Sequence, residues 1–155
     1  MDTTRQVVLN AAADLLTGFL DPEPRPGWRA ERTQALKPRE EDYRRVFVGY
    51  LAELAERRYS ALWVQAPVIE PGLGQVRLEI AVALADELAA DGPAADQFPG
   101  GYRDIAGLLI PGVFWAVWQF QAPGEVGGMQ FDGLAYLDGR FAWFPKPWRV
   151  LGQSG

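Results

Sequence analysis

Residues 112–121, Gly-Val-Phe-Trp-Ala-Val-Trp-Gln-Phe-Gln, and residues 128–144, Gly-Met-Gln-Phe-Asp-Gly-Leu-Ala-Tyr-Leu-Asp-Gly-Arg-Phe-Ala-Trp-Phe, decide the fold of this 155-residue chain. In the second stretch Asp138-Gly139 separates two runs of strand-forming residues. Asp-Gly is a favoured centre for a two-residue type I′ turn, because both central positions need a positive φ. Gly128–Leu137 and Arg140–Phe144 therefore read as a hairpin. Val113–Gln121 is apolar on both faces, with Val113, Trp115 and Val117 alternating with Phe114, Trp118 and Phe120, and reads as a central strand. Residues 112–151 also hold four of the six tryptophans. Large rings either build a core or line a binding surface, and here both readings stay open.

Working outward, Pro145 and Pro147 cannot donate to a ladder, so Lys146–Leu151 reads as an edge segment or a tail laid over the core. Upstream, Val76, Leu78, Ile80 and Val82 alternate with Arg77, Glu79, Ala81 and Ala83, the period of a half-exposed strand over Gln75–Val82. Short helical segments are expected before Asp91-Gly92-Pro93 and over Tyr102–Leu109. Near the N-terminus, Thr3 or Thr4 can cap a helix whose apolar positions are Val8, Ala12, Leu15, Leu16 and Phe19. Gly18 and the proline-rich run from Asp21 end it, so 21–37 reads as a Pro-rich inter-helix loop, with Trp28 as a pin. A long second helix is expected from Pro38 to about Trp63. Its stripe is Tyr43, Val46, Phe47, Tyr50, Leu51, Leu54 and Leu62, and its first turn carries Glu40, Glu41 and Asp42.

Composition narrows the function. One domain of ~150 residues buries roughly 70% of its unfolded surface, so a single α+β domain over 1–155 needs no disulfide or metal to hold it. The chain has no histidine and no cysteine. That excludes thiolate zinc sites, iron–sulfur clusters, cysteine nucleophiles and disulfide scaffolds. No Asp/Asn-rich calcium loop and no glycine-rich phosphate cradle is present either, so neither cofactor nor metal is expected. A net charge of −5 argues against nucleic acid, whose affinity comes from clustered Lys and Arg. No stretch reaches the ~20 apolar residues of a membrane span, and Val7–Leu20, interrupted by Asn10 and Asp14, is read as an amphipathic helix rather than a signal peptide. A cytoplasmic location is the default expectation.

The order of elements, helices first, then a strand, short helical turns and a closing antiparallel meander, resembles the NTF2-like α+β cone. The residues that carry the resemblance are the Pro38–Trp63 helix and the meander over Val113–Phe144. The resemblance implies helices packed on a curved, mostly antiparallel sheet of four or five strands, with a pocket at its open end. It also implies either small-molecule isomerase or dehydratase chemistry, or a non-catalytic binding or dimerising role. The chain departs from the catalytic members in having no histidine.

Three functional expectations follow. The first is a non-catalytic binding or protein-interaction module with an aromatic pocket or edge. Its contact residues would be Trp115, Trp118, Tyr136, Trp148 and Arg149, and its partner a small apolar ligand or a protein, with a homodimer left open. The second is a cofactor-free isomerase- or dehydratase-type enzyme, with Asp132 as base and Tyr136 or Tyr102 as hydrogen-bond donor, since carboxylate and phenol suffice for proton transfer in an apolar pocket. Asp132 is unusual inside a strand. Simple alternation, however, places Gln130, Asp132 and Tyr136 together on an outer, solvated face, with Met129 and Phe131 inward. The third is an acidic immunity-like protein that masks a basic partner through its charge. Glu79 reads as a solvated member of a cross-strand pair, or as a polar pocket wall near Arg140 or Arg103.

Overall fold

Four strands form one antiparallel sheet in the order β1-β2-β3-β4, each paired with its neighbour in sequence: β1 (Arg77–Leu84), β2 (Phe114–Gln121), β3 (Met129–Leu137) and β4 (Arg140–Trp143). The computed structural model describes residues 3–90 and 92–152. Among the described residues the sheet has four strands and not five, because Lys146–Leu151 supplies no edge strand. Pro147 instead opens a short helix, α7 (Pro147–Leu151), with Lys146 ahead of it in the left-handed region at φ 49°. The β3–β4 turn has positive φ at both Asp138 (50°) and Gly139 (87°), as a type I′ turn requires.

Helices cover the sheet. Helix α1 (Thr3–Leu20) lies on β1 and β2, burying Val8, Ala12, Leu16 and Phe19 at helical spacing. It continues past Gly18, because the Arg29 side chain donates to the carbonyls of Phe19 and Asp21 and satisfies the helix end. The 21–37 segment is consequently not all loop. Gly27, at φ 83°, opens α2 (Trp28–Gln34), Trp28 packs on Phe19, and buried Thr33 accepts the Ile69 N–H while donating to Arg29 O.

The expected long helix from Pro38 to Trp63 is two helices, α3 (Asp42–Val46) and α4 (Leu51–Val64). Between them Phe47 is extended and bridges Leu109, Val48 N–H donates to Leu108 O, and Ile110 N–H donates to Val46 O. These long-range bonds take the place of helical ones. Gly49, at φ 53°, turns the chain back into α4, and Tyr50, expected on the buried stripe, is 83% exposed as a result.

Downstream of β1 lie a 3₁₀ turn (Ala85–Ala89), α5 (Pro93–Asp96), α6 (Gly101–Ile105) and a second 3₁₀ turn (Ala106–Leu108). Phe144 is the hub of the core. Tyr43, Phe47, Tyr59 and Trp115 surround it with ring centroids 5.4, 5.5, 5.7 and 5.9 Å away. Trp63 meets Trp143 edge-on at 5.9 Å. The indole N–H groups of Trp63, Trp115 and Trp118 are buried with no hydrogen-bond partner among the described residues, so packing alone holds those rings. Much of the aromatic surplus is therefore core. Among the described residues no helix is long and apolar enough to cross a membrane.

Asp42 is fully buried and joins this helical layer to the hairpin. Its two oxygens take the Arg140 guanidinium at 2.9 and 2.5 Å, and Oδ2 also accepts the Arg39 N–H at 2.8 Å. Arg140 is thus committed to Asp42 and does not reach Glu79.

Candidate functional site

Strand register decides which side chains share the site. Trp118 pairs with Phe131 but Ala116 pairs with Leu134, so Val117 alone faces both Asp132 and Gly133. Asp132-Gly133 is therefore a β-bulge, with one extra residue on β3 and Gly133 at φ 92°. The bulge shifts the alternation by one. Gln130 and Asp132 do share a face, but the bulge sends Tyr136 to the other one, opposite Phe114 and against Phe141. The expected pairing of Asp132 with Tyr136 does not form. Asp132 also does not face water: it is 6% exposed, on the helix-covered face that carries Trp115 and Val117.

Its partner is Tyr102 of α6, whose hydroxyl donates to Oδ1 at 3.0 Å. The Lys146 backbone N–H donates to the same oxygen at 2.7 Å, and the Trp143 indole donates to the Asp132 carbonyl at 2.7 Å. Oδ2 accepts no hydrogen bond from any described residue. The Tyr59 hydroxyl donates to Pro145 O, closing the same turn from the α4 side. Burial raises the Asp132 pKa above the usual carboxylate value, and the Lys146 N–H, the Tyr102 hydroxyl and the charges of Lys146 and Arg149 oppose that rise without cancelling it. Burial, followed by the charge of Asp132, holds both Tyr102 and Tyr59 well above the ordinary phenol range.

A raised folded-state pKa means that the contribution of Asp132 to stability is full below the unfolded pKa of ~3.9 and is lost as pH rises through the folded value. Asp132→Asn keeps an acceptor for Tyr102 and Lys146 and removes the buried charge. It is expected to raise Tm at pH 7 by about 2–4 °C, the response of a domain this size to roughly 1 kcal/mol. The gain should vanish below pH ~3.9. Calorimetry across pH checks this, and a lower Tm for the variant at pH 7 would count against it.

Beside this carboxylate a cleft of about 680 Å³ opens to solvent, within the usual ~300–1,000 Å³ of small-molecule sites. Its floor is the cross-strand row Glu79, Gln119 and Gln130, followed one row deeper by Ala81 and Val117, the row that Asp132 completes. Its wall is the α5–α6 connection, Asp96-Gln97-Phe98-Pro99. Phe98 also packs edge-on against Tyr102 at 5.2 Å, so the Asp132–Tyr102 pair stands directly behind the wall. Glu79, expected as a solvated member of a cross-strand pair or as a polar pocket wall, is exposed, lies on the floor and accepts from Gln121 Nε2 at 3.2 Å.

Of the residues singled out from sequence, Trp118 borders the cleft, stacked on Phe131 at 5.4 Å. Trp115 is wholly buried among Phe47, Tyr102 and Phe144. Trp148 is half-buried on Tyr102, and its indole lies so near Gly101 that a Cβ there would come within 2.2 Å of the ring. Arg149 is exposed on α7. The structure does not bring these five together into one surface. Sequence reading missed Gln119, Gln130 and the Asp96–Pro99 wall. The available signal was the Gly inside a strand pattern at 133, which marks a bulge and hence a change of face. No protein-family model, curated protein or solved structure matches the chain.

Proposed function

We propose that the protein is a non-catalytic small-molecule binding module whose site is the cleft over Glu79, Gln119 and Gln130. The observation that supports this reading most is the cleft itself, with the volume of a ligand site and a hydrogen-bonding floor beside apolar Val117, Phe98 and Pro99. Convergent polar groups set in an apolar wall are the usual make-up of such sites. The order of helices, strand and meander supports an NTF2-like relationship for the same chain, in which the ligand would enter at the open end of the sheet. A thermal-shift screen of small amines, alcohols and acids against the full chain and against Gln130→Trp tests the binding reading. Gln130 is exposed, so the indole should fill the cleft without disturbing the core. Compounds that raise the Tm of the unmodified protein should leave Gln130→Trp unshifted. Hits that survive in the blocked variant, or a screen without hits, would overturn the reading.

One observation favours the second reading, a cofactor-free isomerase- or dehydratase-type enzyme. Asp132 is a buried carboxylate with a raised pKa, a phenol on Oδ1 and an oxygen free of described protein donors. A base of this kind needs its substrate within hydrogen-bond reach. Any turnover of a hydroxy or keto compound found in the screen should then disappear in Asp132→Asn while the fold persists, and turnover that survives the change would remove the idea.

A further inference from the structure

We infer that the cleft selects a small organic cation, a primary ammonium carried on a compact apolar group. The inference rests on the binding reading above and adds the chemical class of the ligand. Among the described residues the polar lining consists of two carboxylates, Glu79 and Asp96, and three carboxamides, Gln97, Gln119 and Gln130, and no Lys or Arg lines the cleft. The Arg103 guanidinium lies outside, 3.8 Å from Asp96. Arg77, one row further out and opposite Gln121, is exposed and borders nothing in the cleft.

Depth reinforces the sign of the charge. One row in from Glu79 on the same face stands Asp132, more than nine-tenths buried, with Oδ2 unmatched by any described donor. An anion entering here would meet carboxylates on the floor and the wall, with the Asp132 carboxylate buried behind them. A neutral alcohol would find acceptors but no charge to answer. An ammonium supplies three donors and a positive charge, and gives the carboxylates and amide carbonyls a partner. The apolar part then lies against Val117, Phe98 and Pro99, which supply contact area and no competing donors. Charge selection at a solvent-open cleft acts through discrimination more than through raw affinity.

Isothermal titration of the full chain with benzylamine, benzyl alcohol and benzoate, three probes of similar shape and different charge, tests the inference. Benzylamine is expected to bind up to about fivefold more tightly than benzyl alcohol, and benzoate to give no detectable heat, because an ion pair with Glu79 is worth up to roughly fivefold while Asp96 is already paired with Arg103. Glu79→Gln, at an exposed position, should weaken benzylamine by up to about fivefold and leave benzyl alcohol unchanged. Gln130→Trp should remove binding of both. Equal affinity for amine and alcohol, or tighter binding of benzoate, overturns the cation assignment while the cleft stays a binding site. Benzylamine binding that is untouched by Gln130→Trp, or the absence of heat from all three probes, overturns the assignment together with the site.

Discussion

Gly133→Ala is expected to lower Tm by about 10 °C, through a loss of roughly 3–4 kcal/mol in a domain that loses about 2–4 °C per kcal/mol. Two causes add. The residue sits at φ 92°, where a Cβ carries a cost of ~1–2 kcal/mol. A Cβ built there would also lie 2.2 Å from the Phe144 carbonyl oxygen, which is backbone and cannot swing aside. Relieving that overlap must separate β3 from the segment after β4, where Phe144 N–H donates to Gly133 O at 2.7 Å. Overpacking of this kind commonly costs ~1–3 kcal/mol. The same movement carries Asp132 away from Tyr102 and Lys146, so the bulge and the site should fail together. Gly139→Ala is the control. Gly139 has φ 87° but nothing within 4 Å of its built Cβ, so it isolates the backbone cost. Thermal unfolding of both variants decides the matter, and equal losses in the two would refute the crowding argument.

Asp42→Ala is the second large effect, an expected loss of about 2–3 kcal/mol. Removing one partner of a fully buried pair costs ~3–5 kcal/mol, and the value is reduced here because the Arg140 side chain is 30% exposed and can regain water. The Arg39 N–H loses its acceptor in the same change. Burial pushes the Asp42 pKa up, but the Arg140 hydrogen bonds, the Arg39 N–H and the charges of both arginines outweigh it, and the net shift is downward. A lowered folded-state pKa gives stability that is present above the unfolded value of ~3.9 and is lost as pH falls through the folded one. The two buried carboxylates therefore have opposite signatures. The deficit of Asp42→Ala should shrink in acid, whereas the gain of Asp132→Asn appears only above the carboxylate range. Denaturant titrations at neutral and acid pH separate them, and an Asp42→Ala deficit that stays constant to pH ~2 would contradict the linkage.

Local chemistry announced the sheet, and long-range contacts rearranged what lay upon it. Asp138-Gly139, the doubly apolar run over Val113–Gln121 and the alternation over Gln75–Val82 are short-range signals, and each produced the strand or turn that its residue types favour, with β2 at Phe114–Gln121 and β1 at Arg77–Leu84. The helical pattern from Pro38 to Trp63 was equally regular. It was broken by hydrogen bonds from Val48 and Ile110, whose partners, Leu108 and Val46, lie far from them along the chain. Periodicity cannot register such competition. The same limit applies to 21–37, where Arg29 and Thr33 stabilise a short helix through carbonyls and amides outside it.

The sequence by itself determined an α+β protein closed by an antiparallel meander, free of histidine and cysteine chemistry and acidic overall, because composition and nearest-neighbour backbone preferences suffice for those statements. Only the tertiary structure decided which carboxylates are buried, which tryptophans are core and where a cleft opens. The physical reason is concentrated at Asp132-Gly133. One extra residue in β3 inverts the alternation beyond it and sends Tyr136 to the opposite face, while Asp132 keeps the face of Gln130, which α6 covers there and where Tyr102 reaches its carboxylate. A strand's side-chain period is two, so a single-residue shift exchanges inside for outside along everything that follows.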